Sequence, residues 1–228
     1  MLSAVLECVS DRKFTQLLGE LFKYLEMNQT YIDENNPLIP NRSKYIRIRY
    51  LGKTNLFIFN LRYYTRNNKG RLENVPYVDN SYKWAGGGIL SNVGDLMKFG
   101  NCLLFNYQND SSTNYLKQNT IRNYIWSKQS IPFTNRKDKI EKLPIVPPIE
   151  KSFYGFGWQL VFDDKENLKR VYHTGGAVGA SSCIMIIPKE IESSIENPNG
   201  IVVAVLCNSD TTSGIVNFTH EIAKIFMD

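Results

Sequence analysis

No apolar run in this 228-residue sequence is long enough to cross a bilayer as a helix. The longest, residues 184–187 and 201–207, fall far short of the ~20 residues such a span needs, so no transmembrane segment is expected. A basic block is also missing. The net charge of +5 arises from 27 Lys and Arg against 22 Asp and Glu scattered along the chain, without the clustering that tracks phosphates, and no nucleic-acid partner is expected. Cys8, Cys102, Cys183 and Cys207 form no C-x-x-C pair, which removes the usual spacing for zinc or redox chemistry. Buried free thiols are expected instead, and neither a metal nor a cofactor is implied. The opening Met-Leu-Ser-Ala-Val-Leu-Glu-Cys has no cationic start followed by an apolar core, so it has neither secretory nor transit character. Asn28, Asn41, Asn109 and Asn217 begin N-x-S/T sequons, which acquire meaning only in a secreted protein. Repeats and low-complexity tracts are absent.

What is present is the composition of a folded domain: 43% hydrophobic and 21% charged residues are enough to build a core. Leu2, Val5, Leu6 and Val9 fall on one face of a short helix, and Phe14, Leu17, Leu18, Leu21, Phe22 and Leu25 continue helical spacing over three turns, predicting two packed helices. After a polar, Pro-containing loop, residues 45–50 alternate with period two and predict a strand, turned by 52–55 into the run 56–61. Asn67-Asn68-Lys69-Gly70 supplies a second turn. Gly86-Gly87-Gly88 leads into a helix capped by Ser91 or Asn92, with Asp95 in its first turn and Leu96, Leu103 and Leu104 inward. Another helix is expected over 113–126, then a charged, Pro-rich surface loop over 130–151. Strands are expected at 154–162, 170–174, 181–187 and 201–207. Ser213 caps a last helix whose Ile215, Phe218, Ile222 and Phe226 share a face. Helices first and consecutive strands after them indicate an α+β layout with an antiparallel sheet flanked by helices.

The segment from Arg170 through His173-Thr174-Gly175-Gly176 to Ser182 carries the most chemistry. A strand end bearing a hydroxyl and then two glycines lets a substrate lie close against the backbone. This run resembles the Lys-Thr-Gly strand of penicillin-recognising serine hydrolases, with His in the Lys position. Tyr154-Gly155-Phe156-Gly157-Trp158 is similar to the Tyr-Gly-x-Gly-Trp strand of class C β-lactamase relatives. Gly87-Gly88 followed by Ser91, Asp95, Leu96 and Phe99 is similar to their Gly-Gly-x-x-Ser-x-x-x-Asp-Leu-x-x-Phe helix. Residues 33–39, 75–86 and 173–182 resemble the mitochondrial serine β-lactamase-like branch found in animals. Residues 45–61 have no counterpart there and read either as an added hairpin or as translated intron sequence.

The resemblance implies the C-terminal portion of the β-lactamase/transpeptidase-like fold. In that family a serine is acylated with help from the Lys of a Ser-x-x-Lys turn, and a Tyr-x-Asn pair and the Lys-Thr-Gly strand complete the site. The first two are expected upstream of residue 1, which makes 1–228 a partial domain with no catalytic nucleophile. The one Ser-x-x-Lys present, Ser10-Asp11-Arg12-Lys13, reads as an exposed helix N-cap, and Tyr107-Gln108-Asn109 falls at the wrong place in the order and reads as loop. His173, Thr174, Gly175 and Gly176 are expected to line the substrate cleft, with the Gly176 N–H as second oxyanion donor. Histidine in place of lysine removes a permanent cation, so strong capture of a β-lactam carboxylate is not expected and an ester or peptide-type substrate is. His220 reads as a solvated helical residue, Lys83 as a surface lysine, and Trp84, Trp126 and Trp158 as core or cleft-wall aromatics. By the same resemblance the expected setting is mitochondrial, with a link to lipid metabolism, a small-molecule or peptide substrate and a possible homopolymer. Two functions stand side by side: part of an acyl-transfer hydrolase, or a non-catalytic binding or filament-forming protein on the same fold.

Overall fold

A computed structural model describes residues 2–35, 38–39, 63–76, 78–128, 151–189, 198–210 and 214–227. The strand expected at 45–50, the run 56–61, the charged loop up to residue 150 and the Ser213 cap lie outside these residues. Contacts divide the chain into two compact units, 1–99 with 174–183 and 204–218, and 100–173 with 184–203 and 219–228.

The first unit opens with the two expected helices, α1 (Leu2–Ser10) and α2 (Phe14–Tyr24). The Glu7 carboxylate accepts the Phe14 N–H at 2.8 Å across the bend between them. Neither helix contains a fully buried residue. Short strands follow: β1 (Tyr31–Ile32) and β2 (Tyr64–Arg66), then β3 (Leu72–Asn74), the helical turn α3 (Trp84–Gly87) and β4 (Ile89–Leu90). β1 pairs antiparallel with β4, and β2 with β3. The expected turn joins β2 to β3. Asn67 Oδ1 accepts the N–H groups of Lys69 and Arg71 at 2.9 and 3.0 Å, and Gly70 takes the left-handed φ of 74° that a side chain would resist.

Helix α4 (Val93–Gln108) is capped by Asn92, whose Oδ1 accepts the Asp95 N–H at 2.9 Å, settling the choice between Ser91 and Asn92. Beyond it, the second unit holds most of the buried apolar side chains, among them Leu103, Leu104, Ile121, Trp126, Leu160, Val171, Met185 and Ile186. At Gly100 the helix comes so close to strand β9 that a Cβ would lie 2.4 Å from Val202 Cγ1. The five-stranded sheet runs in the order β5 (Lys151–Tyr154), β6 (Gln159–Phe162), β7 (Leu168–Ala177), β8 (Ala180–Pro188), β9 (Gly200–Cys207). Helix α6 (Ile215–Lys224) ends the fold.

Three expectations about these elements need correction. The 154–162 stretch is not one strand, because Gly155–Trp158 forms the tip of the β5–β6 hairpin, with Gly155 N–H donating to Trp158 O at 2.8 Å and Gly157 at φ 77°. The helix expected over 113–126 starts only at α5 (Gln118–Thr120) and continues as a π-helical turn, Ile121–Ile125. Before it, Asn114 Nδ2 donates to Asn109 O, and the Ser111 and Thr113 hydroxyls bond each other, local bonds that compete with helix. On α6 the buried positions are Thr219 and Ala223, while Phe218 is exposed, as is Phe226 beyond the end of the helix. Of the four thiols Cys183 is buried and Cys8 is exposed.

Candidate active-site wall

Strand β7 reaches the candidate wall with one edge unpaired among the described residues. Its pairing with β6 ends at Gln159 opposite Tyr172, while the strand itself continues through His173 to Ala177. Only two residues, Val178 and Gly179, separate β7 from β8, so Ala177 faces Ala180 and Gly175 faces Ser182. In an antiparallel pair, alternate residues turn both backbone groups toward the partner and the residues between turn them away. The N–H groups of Thr174 and Gly176 therefore point away from β8, on the side where β6 has ended. Side chains alternate as well: Thr174 and Gly176 share one face, His173 and Gly175 the other.

The two glycines are under different constraints. A Cβ on Gly175 would lie 2.3 Å from Ser182 Oγ, whereas one on Gly176 would meet nothing within 4 Å. Packing among the described residues thus explains a glycine at 175 but not at 176. His173 is exposed and sets its ring edge-on to Trp158, centroids 6.5 Å apart, and Trp158 in turn meets Trp126 at 5.9 Å.

The turn after this wall is anchored by residues that sequence reasoning assigned no role. Asp210 Oδ2 accepts the Gly179 N–H at 3.2 Å, and the Ser181 hydroxyl donates to Ser209 O at 2.7 Å. The same segment is clamped to β2, with Tyr64 N–H donating to Asn208 O at 3.0 Å. A Cβ on Gly179, at φ 76°, would lie 2.5 Å from Tyr63 Cβ. The signal available in sequence was the polar trio Asn208-Ser209-Asp210 directly after an apolar strand.

Other motif residues are structural. Ser91 and Asp95 meet at Thr30, whose hydroxyl lies 2.8 Å from Ser91 Oγ and donates to Asp95 Oδ2 at 2.8 Å, beside the Gln29 N–H, also at 2.8 Å. Asp95→Ala leaves the buried Thr30 hydroxyl and the part-buried Gln29 N–H without their acceptor and is expected to cost roughly 2 kcal/mol. Asn92→Ala, a lost N-cap, is expected to cost about 1 kcal/mol. Denaturant unfolding of the two variants checks the order, and equal costs would remove Asp95 as the organising group.

Ser10 is not the N-cap expected for it. It is the last residue of α1, its hydroxyl donates back to Leu6 O at 2.6 Å, and Asp11 bends away at φ 53°. Tyr107-Gln108-Asn109 is the last turn of α4 and the residue beyond, not a free loop. Gln108 clamps both sides of the 189–199 connection through Lys189 O, Asn199 O and the Asn199 N–H. Burial pushes the Tyr107 hydroxyl above its ordinary range, and the Arg122 charge offsets part of that, which is the reverse of what a proton-accepting tyrosine needs. Trp126 and Trp158 are buried as expected. Lys83 is half-buried with Nζ 5.9 Å over Tyr82, and His220 is half-buried rather than solvated.

A family model described as beta-lactamase matches residues 1–223. The chain belongs to the beta-lactamase family. Proteins named serine beta-lactamase-like protein LACTB, mitochondrial, from Mus musculus, Bos taurus and Homo sapiens are each 37% identical to it over 245 residues. The alignments cover 99% of this chain but 38% of the mouse and bovine proteins and 39% of the human one. The chain therefore spans about two fifths of the length of these curated relatives. Its α+β layout, with β5 to β7 antiparallel, is that of the family.

Proposed function

We propose that the chain is the C-terminal part of a serine hydrolase that works through an acyl-enzyme, of peptidase or esterase type, on a small-molecule or peptide substrate. In this reading residues 1–228 are a partial domain, and the serine, its Ser-x-x-Lys lysine and the Tyr-x-Asn pair belong to sequence preceding residue 1. The observation that carries it is the direction of the Gly176 N–H. It points off the edge of β7 that is unpaired among the described residues, at a residue where a Cβ would meet nothing within 4 Å. When a serine oxygen adds to a substrate carbonyl, the developing oxyanion needs donors fixed in advance, and a rigid hairpin strand supplies one there. The Thr174 hydroxyl, on the same face as Gly176, would hold a substrate group, while His173 stands on the opposite face against Trp158 and joins the reading through the resemblance alone. We extend the reading to the mitochondrion, where the relatives are named, and to lipid metabolism, which the resemblance implies.

A second reading, a non-catalytic binding or filament-forming protein, is favoured by β9, which stands at the end of the strand order. Fluorophosphonate labelling separates the two. The intact protein is expected to label at one serine outside residues 1–228, and the chain alone at none. Stoichiometric labelling of Ser10 or of any other serine in the chain would overturn the architecture proposed here. An intact protein that never labels would favour the second reading.

A further inference from the structure

The second unit contains a cavity of about 1050 Å³, near the upper end of small-molecule sites. Its described lining carries five Lys or Arg side chains and a single carboxylate, Glu166. That carboxylate is already occupied: Lys128 Nζ lies 3.0 Å and Lys151 Nζ 3.9 Å from Glu166 Oε1. The excess of donors is sharpest at two residues. Arg122 uses Nε to reach Tyr107 O at 2.8 Å and lays its guanidinium 4.9 Å over the Tyr107 ring. The residue is exposed, and its terminal nitrogens, open to solvent, have no hydrogen-bond acceptor among the described residues. Trp126, 2% exposed and part of the same lining, has a buried Nε1–H with no acceptor among the described residues. Native interiors hold few orphan donors like the Trp126 N–H, because each forfeits a hydrogen bond it made to water. Around them the walls are aromatic and aliphatic, with Tyr107 and Trp126 joined by Phe162, Leu168 and Ile187.

A cavity with spare donors, few free acceptors and apolar walls suits a ligand that brings an oxyanion on an apolar body. A guanidinium held by its Nε side still presents the planar fork that matches a carboxylate or phosphate. We propose that this cavity binds a small carboxylate- or phosphate-headed ligand, with Arg122 holding the head group and Tyr107, Trp126 and Phe162 packing an aromatic or acyl body. None of these residues belongs to the His173–Gly176 wall, so the proposal stands whatever reaction that wall serves.

Calorimetric titration of the intact protein tests it. The probes are 4-phenylbutyrate and phenyl phosphate, with acetate and inorganic phosphate as head-group controls and 4-phenylbutanol as the body control. At least one aromatic anion is expected to bind tenfold or more tightly than both its head group and the alcohol. Preference for the carboxylate identifies an acyl source, and preference for the phosphate a phosphorylated one. Arg122→Gln is expected to bring the anion down to the level of the alcohol, and Arg122→Lys, which keeps charge but not the fork, to weaken it about threefold or more. Should Arg122→Gln fail to fold, Arg122→Lys decides. An alcohol that binds as well as both anions, or anion affinity unchanged in every folded Arg122 variant, overturns the proposal.

Discussion

In the intact protein, Gly176→Val is expected to slow acylation by roughly a hundredfold or more while leaving the thermal unfolding midpoint unchanged or slightly raised. The two halves of that expectation have separate origins. A Cβ at this position meets nothing within 4 Å, so the fold has no steric objection to it, and valine suits a strand better than glycine does. The methyl groups would instead stand on the face shared with Thr174, beside the N–H proposed as the oxyanion donor. Loss of one oxyanion donor typically costs ~3 kcal/mol, which is the source of the hundredfold figure. Thr174→Val keeps shape and removes only a hydroxyl, so a smaller loss, on the order of tenfold, is expected. Gly175→Val should behave differently from both, because its Cβ would lie 2.3 Å from Ser182 Oγ and the Ser182 side chain must move aside. Rates of fluorophosphonate labelling, measured beside unfolding midpoints, separate the three. Unchanged labelling in both Gly176→Val and Thr174→Val would take this wall out of the mechanism.

That ranking could not be read from sequence, where Gly175 and Gly176 look interchangeable. Strand identity was legible: the runs 184–187 and 201–207 are apolar, lack internal turn residues, and lie within β8 and β9. Which glycine is confined depends on hairpin register, and register here is set by a two-residue turn whose anchors, Ser209 and Asp210, follow 30 residues later. The stretch 154–162 misled because its apolar content outweighed two glycines that in fact make the hairpin tip. At 113–117 helical spacing was outcompeted by local side-chain bonds of Ser111, Thr113 and Asn114. On α6 periodicity grouped Ile215, Phe218 and Ile222 on one face, yet the buried positions of the helix are the small Thr219 and Ala223. The chain itself gave no sign of which stripe would be covered.

Expressed alone, the 228-residue chain is expected to self-associate or to be poorly soluble. Among the described strands β9 pairs only with β8. Gly200–Cys207 is an uninterrupted apolar strand with no charge or proline to block a new partner, and such edges template pairing with other chains. The first unit adds a second adhesive surface. Leu2 and Val9 are 82% and 75% exposed, Val5 and Leu6 lie between them on the same helix, and only Leu25, Met27, Val75 and Cys183 are buried apolar side chains of that unit among the described residues. An apolar stripe of this kind marks an interaction surface or an aggregation liability. If the proposed upstream segment normally covers it, supplying that segment in trans should restore a soluble complex, and charged substitutions on the stripe, such as Leu6→Glu with Val9→Lys, should raise solubility of the chain alone while weakening the complex. Sedimentation velocity provides the decision. A compact monomer with cooperative thermal unfolding would show that these surfaces need no partner, and the reading of residues 1–228 as a partial domain would fall with them.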